Sequence, residues 1–136
     1  MCAGVEVLAQ APLWNPETRT YGIADLLVRS DILDRLFPWH LGEADRPAPD
    51  IPGARWHYRV VDIKYSTLHL LKDGHAASGH LHYGAQVWLY NQALGRLQGW
   101  IPPSGFLLGR GWENSKDRGA SALDYLSRIV RARRTA

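Results

Sequence analysis

Asp62 and Lys64 interrupt an otherwise apolar run, Val60-Val61-Asp62-Ile63-Lys64-Tyr65. On a strand, side chains alternate faces, so the acid and the ammonium point the same way and Val61, Ile63 and Tyr65 point the other. A charged pair inside a core-like strand is costly unless something compensates it. The choice of cation adds weight, because the chain has thirteen arginines and three lysines, and one of the three is here. Lysine is a compact point charge that can lower its pKa, and arginine does neither well. Three more residues carry matching chemistry. Gly22-Ile23-Ala24-Asp25 sets an acid in an earlier apolar run, and Gln86-Val87-Trp88-Leu89-Tyr90 sets a glutamine and a tyrosine at i and i+4, on one helical face. Neighbouring strands lie about 4.8 Å apart, so Asp25 and Asp62 can converge on one cation with Lys64 alongside.

The elements that must position these groups follow from periodicity. Gly4 to Gln10 alternates apolar and polar residues, Asn15-Pro16-Glu17-Thr18 supplies turn chemistry, and Thr20 to Arg29 reads as a second strand, forming a hairpin. That second strand is apolar on both faces apart from Asp25, which predicts burial on both sides. Ser30 to Leu36 fits a short helical turn. Prolines 38, 47, 49 and 52 then predict an exposed loop over 37–54, readable as a flap. A third strand spans Trp56 to Ser66. A helix follows from about Leu81 to Leu97, with Tyr83, Gln86, Val87, Tyr90, Ala93 and Leu94 along one side and Gly95 and Gly99 bracketing its end. A fourth strand is expected over Gly105–Arg110. A final amphipathic helix is expected from near Ser121, carrying Ala122, Leu123, Leu126, Ile129 and Val130. The order β-β-β-α-β-α describes one α/β domain over 1–136, with a mixed sheet and the Pro-rich insertion.

Composition narrows the class. Apolar residues at 46% and charged residues at 21% fit a soluble globular chain. No apolar run approaches the roughly 20 residues of a bilayer span, and no signal segment is evident, so a cytoplasmic or nuclear protein with no membrane partner is expected. Cys2 is the only cysteine, which excludes an intrachain disulfide, a Cys-based zinc site and an all-cysteine iron–sulfur cluster. Residues 1–127 carry 12 basic and 13 acidic side chains, whereas the last nine residues add Arg128, Arg131, Arg133 and Arg134 with no acid. That tail suits phosphate contact, and equally a solvated helix end complementing its dipole.

Taken in order, the G-x-x-D strand, the D-x-K strand and the Q-x-x-x-Y helix resemble the PD-(D/E)XK nuclease superfamily, and within it the RecB-like branch. The resemblance covers roughly residues 4–112, and Tyr58 to Arg110 is also similar to RecB-like nucleases of large viruses and phages. It implies a restriction-endonuclease-like core and a divalent-metal-dependent deoxyribonuclease with DNA as partner. Mg²⁺ or Mn²⁺ would be held by Asp25, Asp62 and the backbone carbonyl of Ile63, with no iron–sulfur cluster. Phosphodiester hydrolysis needs a metal to polarise the phosphoryl oxygen and acidify a water, and magnesium is content with one or two carboxylates. Lys64 would orient that water or steady the developing charge. Gln86 would contact the water or the scissile phosphate, and Tyr90, Arg110, Arg128 and Arg131 would face nucleic acid. The family core normally opens with a helix before the first strand. Here the chain enters that strand at about Gly4, so an upstream segment or a partner chain is expected to supply the helix, and Glu6 is a substitute carboxylate.

Each signal has a plainer reading. Asp62 and Lys64 would make a structural ion pair, and Gln86 and Tyr90 a polar helix face. On that view the domain is a catalytically inactive module that binds nucleic acid or a protein partner. His69, His75, His80 and His82 match no common zinc spacing. The six tryptophans read as packing residues, with Trp39 in the Pro-rich loop the one suited to stacking on a base.

Overall fold

The computed structural model describes residues 3–37, 43–72, 77–113, 118–119 and 130–131. Strand β1 (Val7–Asn15) and β2 (Thr20–Arg29) form the expected hairpin, followed by α1 (Ser30–Leu36), β3 (Tyr58–His69), a 3-10 turn (Ser78–His80) and α2 (Leu81–Gln98). Strands β4 (Phe106–Glu113), β5 (Arg118–Gly119) and β6 (Val130–Arg131) complete an α/β fold. The sheet order is β1-β2-β3-β4-β5, with β6 also pairing β4. Among the described residues β3 and β4 run parallel, joined through α2, and the other pairs are antiparallel, so the sheet is mixed. The expected final helix included Val130, but that residue pairs antiparallel with Leu107. Residues 121–129 of that helix lie outside the described residues.

Two apolar clusters flank the sheet. The larger packs α2, through Val87, Ala93 and Leu94, on Leu13, Leu27, Tyr58, Val60, Leu68 and Leu107. The smaller packs α1, through Ile32 and Leu33, on Val28, Val61 and Phe106. Alternation along β3 explains the division, since even-numbered residues face α2 and Val61 faces α1.

In the hairpin this alternation changes phase. Leu8 faces the α2 cluster, but so do Ala11 and Leu13; on β2 Leu27 faces it, but so does Ala24. The register stays constant, from Leu8↔Leu27 through Ala11↔Ala24 to Leu13↔Gly22. Both strands therefore switch faces together at the intervening positions, Gln10 and Asp25. Gln10 has a φ of 52°, the left-handed region that a straight strand does not use. This is why β2 reads as apolar on both faces. Its burial begins at Ala24, while Tyr21 and Ile23 are exposed.

The Pro-rich segment is not simply an exposed flap. Ala48 and Ile51 are 2% and 3% exposed and belong to the main core. Backbone bonds tie Ala48 N to Trp56 O and Asp50 N to Gln98 O. The end of α2 is fastened as well. Gly99 closes the helix with a φ of 80°, and the fully buried Gln98 side chain takes the Tyr58 N–H at 2.9 Å and donates to Tyr58 O and Trp100 O. Among the described residues no helix is long and apolar enough to cross a membrane.

Candidate active site

Strands β2 and β3 pair from Arg29↔Tyr58 to Leu26↔Val61 and then part. The next residues are Asp25 and Asp62, so both acids stand at the fork. Beyond it a side chain substitutes for the missing ladder partner, because Ile63 N–H donates to Asp25 Oδ2 at 2.8 Å. In an antiparallel pair the N–H and C=O of one residue face the same neighbour, so the Ile63 carbonyl also points into the fork. Gln10, at the phase change on β1, reaches Asp25 Oδ1 with its amide at 3.4 Å. Nothing in the spacing of residues 4–10 singles Gln10 out, because its role follows from the register opposite Asp25.

Asp62 is 2% exposed, and Lys64 lies beside it on the face turned to α2. The ammonium is 2.6 Å from Asp62 Oδ2 but off the directions in which a hydrogen bond forms. That buried oxygen thus has a charge beside it and no aligned donor. Burial pushes the Asp62 carboxyl above its ordinary pKa; Lys64 opposes this and the neighbouring Asp25 carboxylate reinforces it. Lys64 Nζ donates to Gln86 Oε1 at 2.7 Å, and Gln86 Nε2 donates to the Tyr90 hydroxyl at 3.0 Å. The ammonium also lies 4.8 Å from the Tyr83 ring centre, a contact that helps hold it in place. Tyr90 can lie this close to β2 because position 22 is glycine, where a Cβ would overlap the tyrosine ring.

The structure therefore brings together Asp25, Asp62, Ile63, Lys64, Gln86 and Tyr90. It separates others. Register sets Glu6 opposite Arg29, four residues up the strand from Gln10 or about 13 Å at ~3.3 Å per residue, so Glu6 does not supply a third carboxylate here. Arg110 stacks on Tyr65, 5.1 Å from its ring centre, and Tyr65 alternates with Lys64 onto the sheet face away from α2. Arg131 lies in β6, and Arg128 and Trp39 lie outside the described residues. His69, His80 and Tyr83 form a stack of rings, with His69 bonded to Glu113 at 2.6 Å. His75 is outside the described residues.

Among the described residues no three His, Cys, Asp or Glu side chains gather as a metal-binding group. A cation at the fork would take two carboxylates and a carbonyl and keep several waters, a donor set suited to Mg²⁺ or Mn²⁺ and not to zinc. The unaligned Asp62 Oδ2 and the mutual repulsion of the two acids fit that donor set, since a cation removes both penalties. No family model, no curated protein and no solved structure matches the chain.

Proposed function

We propose that this protein is a divalent-metal-dependent nuclease that hydrolyses DNA phosphodiester bonds, with a restriction-endonuclease-like core of the RecB-like kind. The observation that carries this reading is the β2–β3 fork. It converges Asp25 on a buried Asp62 and aligns Lys64, Gln86 and Tyr90 in one hydrogen-bonded row. Asp25, Asp62 and the Ile63 carbonyl would hold Mg²⁺ or Mn²⁺, which when bound polarises a phosphoryl oxygen and makes water a better nucleophile. Lys64, held by Gln86, presents a fixed positive charge where the attacking water and the pentavalent phosphorus share negative charge. Gln86 positions Lys64 and Tyr90 together, so the row acts as a unit. A cation at the fork competes with a proton for the Asp62 carboxylate, whose pKa burial raises, so metal affinity rises with pH.

Lys64→Ala tests this directly. Cleavage of DNA with Mg²⁺ or Mn²⁺ should fall by about 10³-fold or more while circular dichroism shows the fold retained; the thermal midpoint should drop, because Asp62 loses the cation beside it. Cleavage at the parental rate would remove Lys64 from the chemistry.

One observation favours a second reading. With Glu6 remote, two carboxylates among the described residues meet at the fork. A catalytically inactive nuclease-fold module that binds nucleic acid or a protein partner needs no more than that. Calorimetric titration with MnCl₂ separates the two readings, since binding supports the enzyme and no binding supports the module. Binding without turnover, rescued by a partner chain or upstream segment that adds a donor, would identify an incomplete enzyme.

A further inference from the structure

A cavity of about 420 Å³ opens between the β1–β2 hairpin and α2, with Leu13, Gly22, Ala85, Gln86, Leu89 and Tyr90 in its walls. We infer that it receives an unpaired nucleobase next to the phosphate held at the fork, so that the substrate is a single strand or a frayed end. The inference rests on the nuclease reading above. Three observations converge on it.

The cavity is continuous with the site. Gln86 and Tyr90 belong to both, and Gly22 lies three residues along β2 from Asp25, about 10 Å at ~3.3 Å per residue. That is the reach of one nucleotide from its phosphate to its base. The lining chemistry also suits a base face. Leu13, Ala85 and Leu89 are apolar and Tyr90 contributes a ring. The Gln86 amide is held at both ends, its oxygen by Lys64 and its nitrogen by Tyr90, so it is fixed in place and not free to turn towards a base edge. Thr20, Tyr21 and His82 complete the lining with two hydroxyls and an imidazole for the base edge or sugar, while contact and stacking on the apolar wall accept any base, as in sequence-tolerant single-strand binding. Size and shape complete the case. A cleft of this volume between the hairpin and one helix accommodates a base with its sugar. In a duplex the faces of each base are covered by its neighbours, and a base enters such a cleft only by leaving the stack.

Ala85 is exposed on α2, so Ala85→Trp fills the cavity from a position that the core does not use. Leu89, 38% exposed, gives a second variant, Leu89→Glu, which sets a charge in the apolar wall. Both are made in the Lys64→Ala background, which keeps the strand intact. Affinity is read by anisotropy of an end-labelled oligonucleotide, and base insertion by the fluorescence of 2-aminopurine within it. The parent should bind the single strand at least tenfold more tightly than either variant, with a 2-aminopurine change that the variants lose. Affinity for blunt duplex should be the same in all three. Equal single-strand affinity in parent and variants, or a 2-aminopurine signal that survives both substitutions, overturns the base site. Cleavage by the wild-type chain is scored separately. Cleavage without any variant effect sinks the pocket and leaves the nuclease, whereas a variant effect without cleavage by the wild type sinks the nuclease and leaves the pocket.

Discussion

Strand β3 carries two buried charged centres three residues apart, and they are built on opposite terms. Arg59 is 1% exposed, yet Nε donates to His57 Nε2 at 2.8 Å, and Nη1 donates to Ser104 O at 3.0 Å and Ser104 Oγ at 3.1 Å. His57 in turn donates from Nδ1 to Arg46 O at 2.8 Å, so this centre clips the Pro-rich segment to β3 and to the entry of β4. Asp62 is equally buried but has an oxygen with no aligned donor, a second acid beside it, and a pKa pushed up by burial. A buried charge met by aligned acceptors fastens the fold. A buried carboxylate that shares its one cation with a neighbouring acid still has room for a metal ion.

Removing the two centres should therefore have opposite effects on stability. Arg59→Ala leaves His57 and Ser104 unpaired and should cost about 3–5 kcal/mol, read by urea unfolding. The double change Asp62→Asn with Lys64→Met removes a poorly satisfied pair and should leave stability unchanged or higher, while abolishing cleavage. A large loss in the double variant would mean that the fork is structural.

The next effect in size belongs to pH. Burial, assisted by the Arg59 charge and opposed by the Arg46 carbonyl, lowers the His57 pKa from 6.5 to about 4. The native state keeps the ring neutral, so the unfolded chain binds more protons between those values. The stability contributed by His57 is complete above pH 6.5 and is lost as pH falls towards about 4. Allowing for solvent screening, the loss is about 2–3 kcal/mol. His57→Gln should flatten that limb of the pH–stability curve, and an unchanged limb would assign the acid sensitivity elsewhere.

The smallest effect comes from the cation. At tenfold excess over its Kd, Mg²⁺ or Mn²⁺ should stabilise the wild-type chain by about 1.4 kcal/mol, a rise of a few degrees in Tm. EDTA should reverse the rise, and Asp62→Asn should abolish it. An equal shift in the variant would locate the cation away from the fork.

Local pattern and tertiary dependence divide what the sequence makes legible. The hairpin, α1, α2 and β4 follow from periodicity and turn residues, and Asp62 and Lys64 stand out because charge interrupts an apolar run. The phase change at Gln10 and Asp25 does not show, because two strands shift together and a single strand's pattern only reads as apolar on both faces. Arg59 passes for an ordinary surface arginine, since its acceptors on Ser104 and His57 come from separate segments. Ala48 and Ile51 are hidden among prolines, which signal a loop without saying whether it is pinned to a core. The short strand at Val130 looks helical because two residues carry too little alternation to be read.

The Gln98 clasp on Tyr58 bears on how the chain reaches this structure. It joins residues 40 apart in sequence and has no local substitute. Parallel pairing of β3 with β4 must wait for the whole crossover, so the clasp closes only after α2 has formed and been laid on the sheet. It is therefore expected among the late events of folding. On that order its contribution should fall on the rate at which the native chain comes apart, and hardly on the rate at which it assembles.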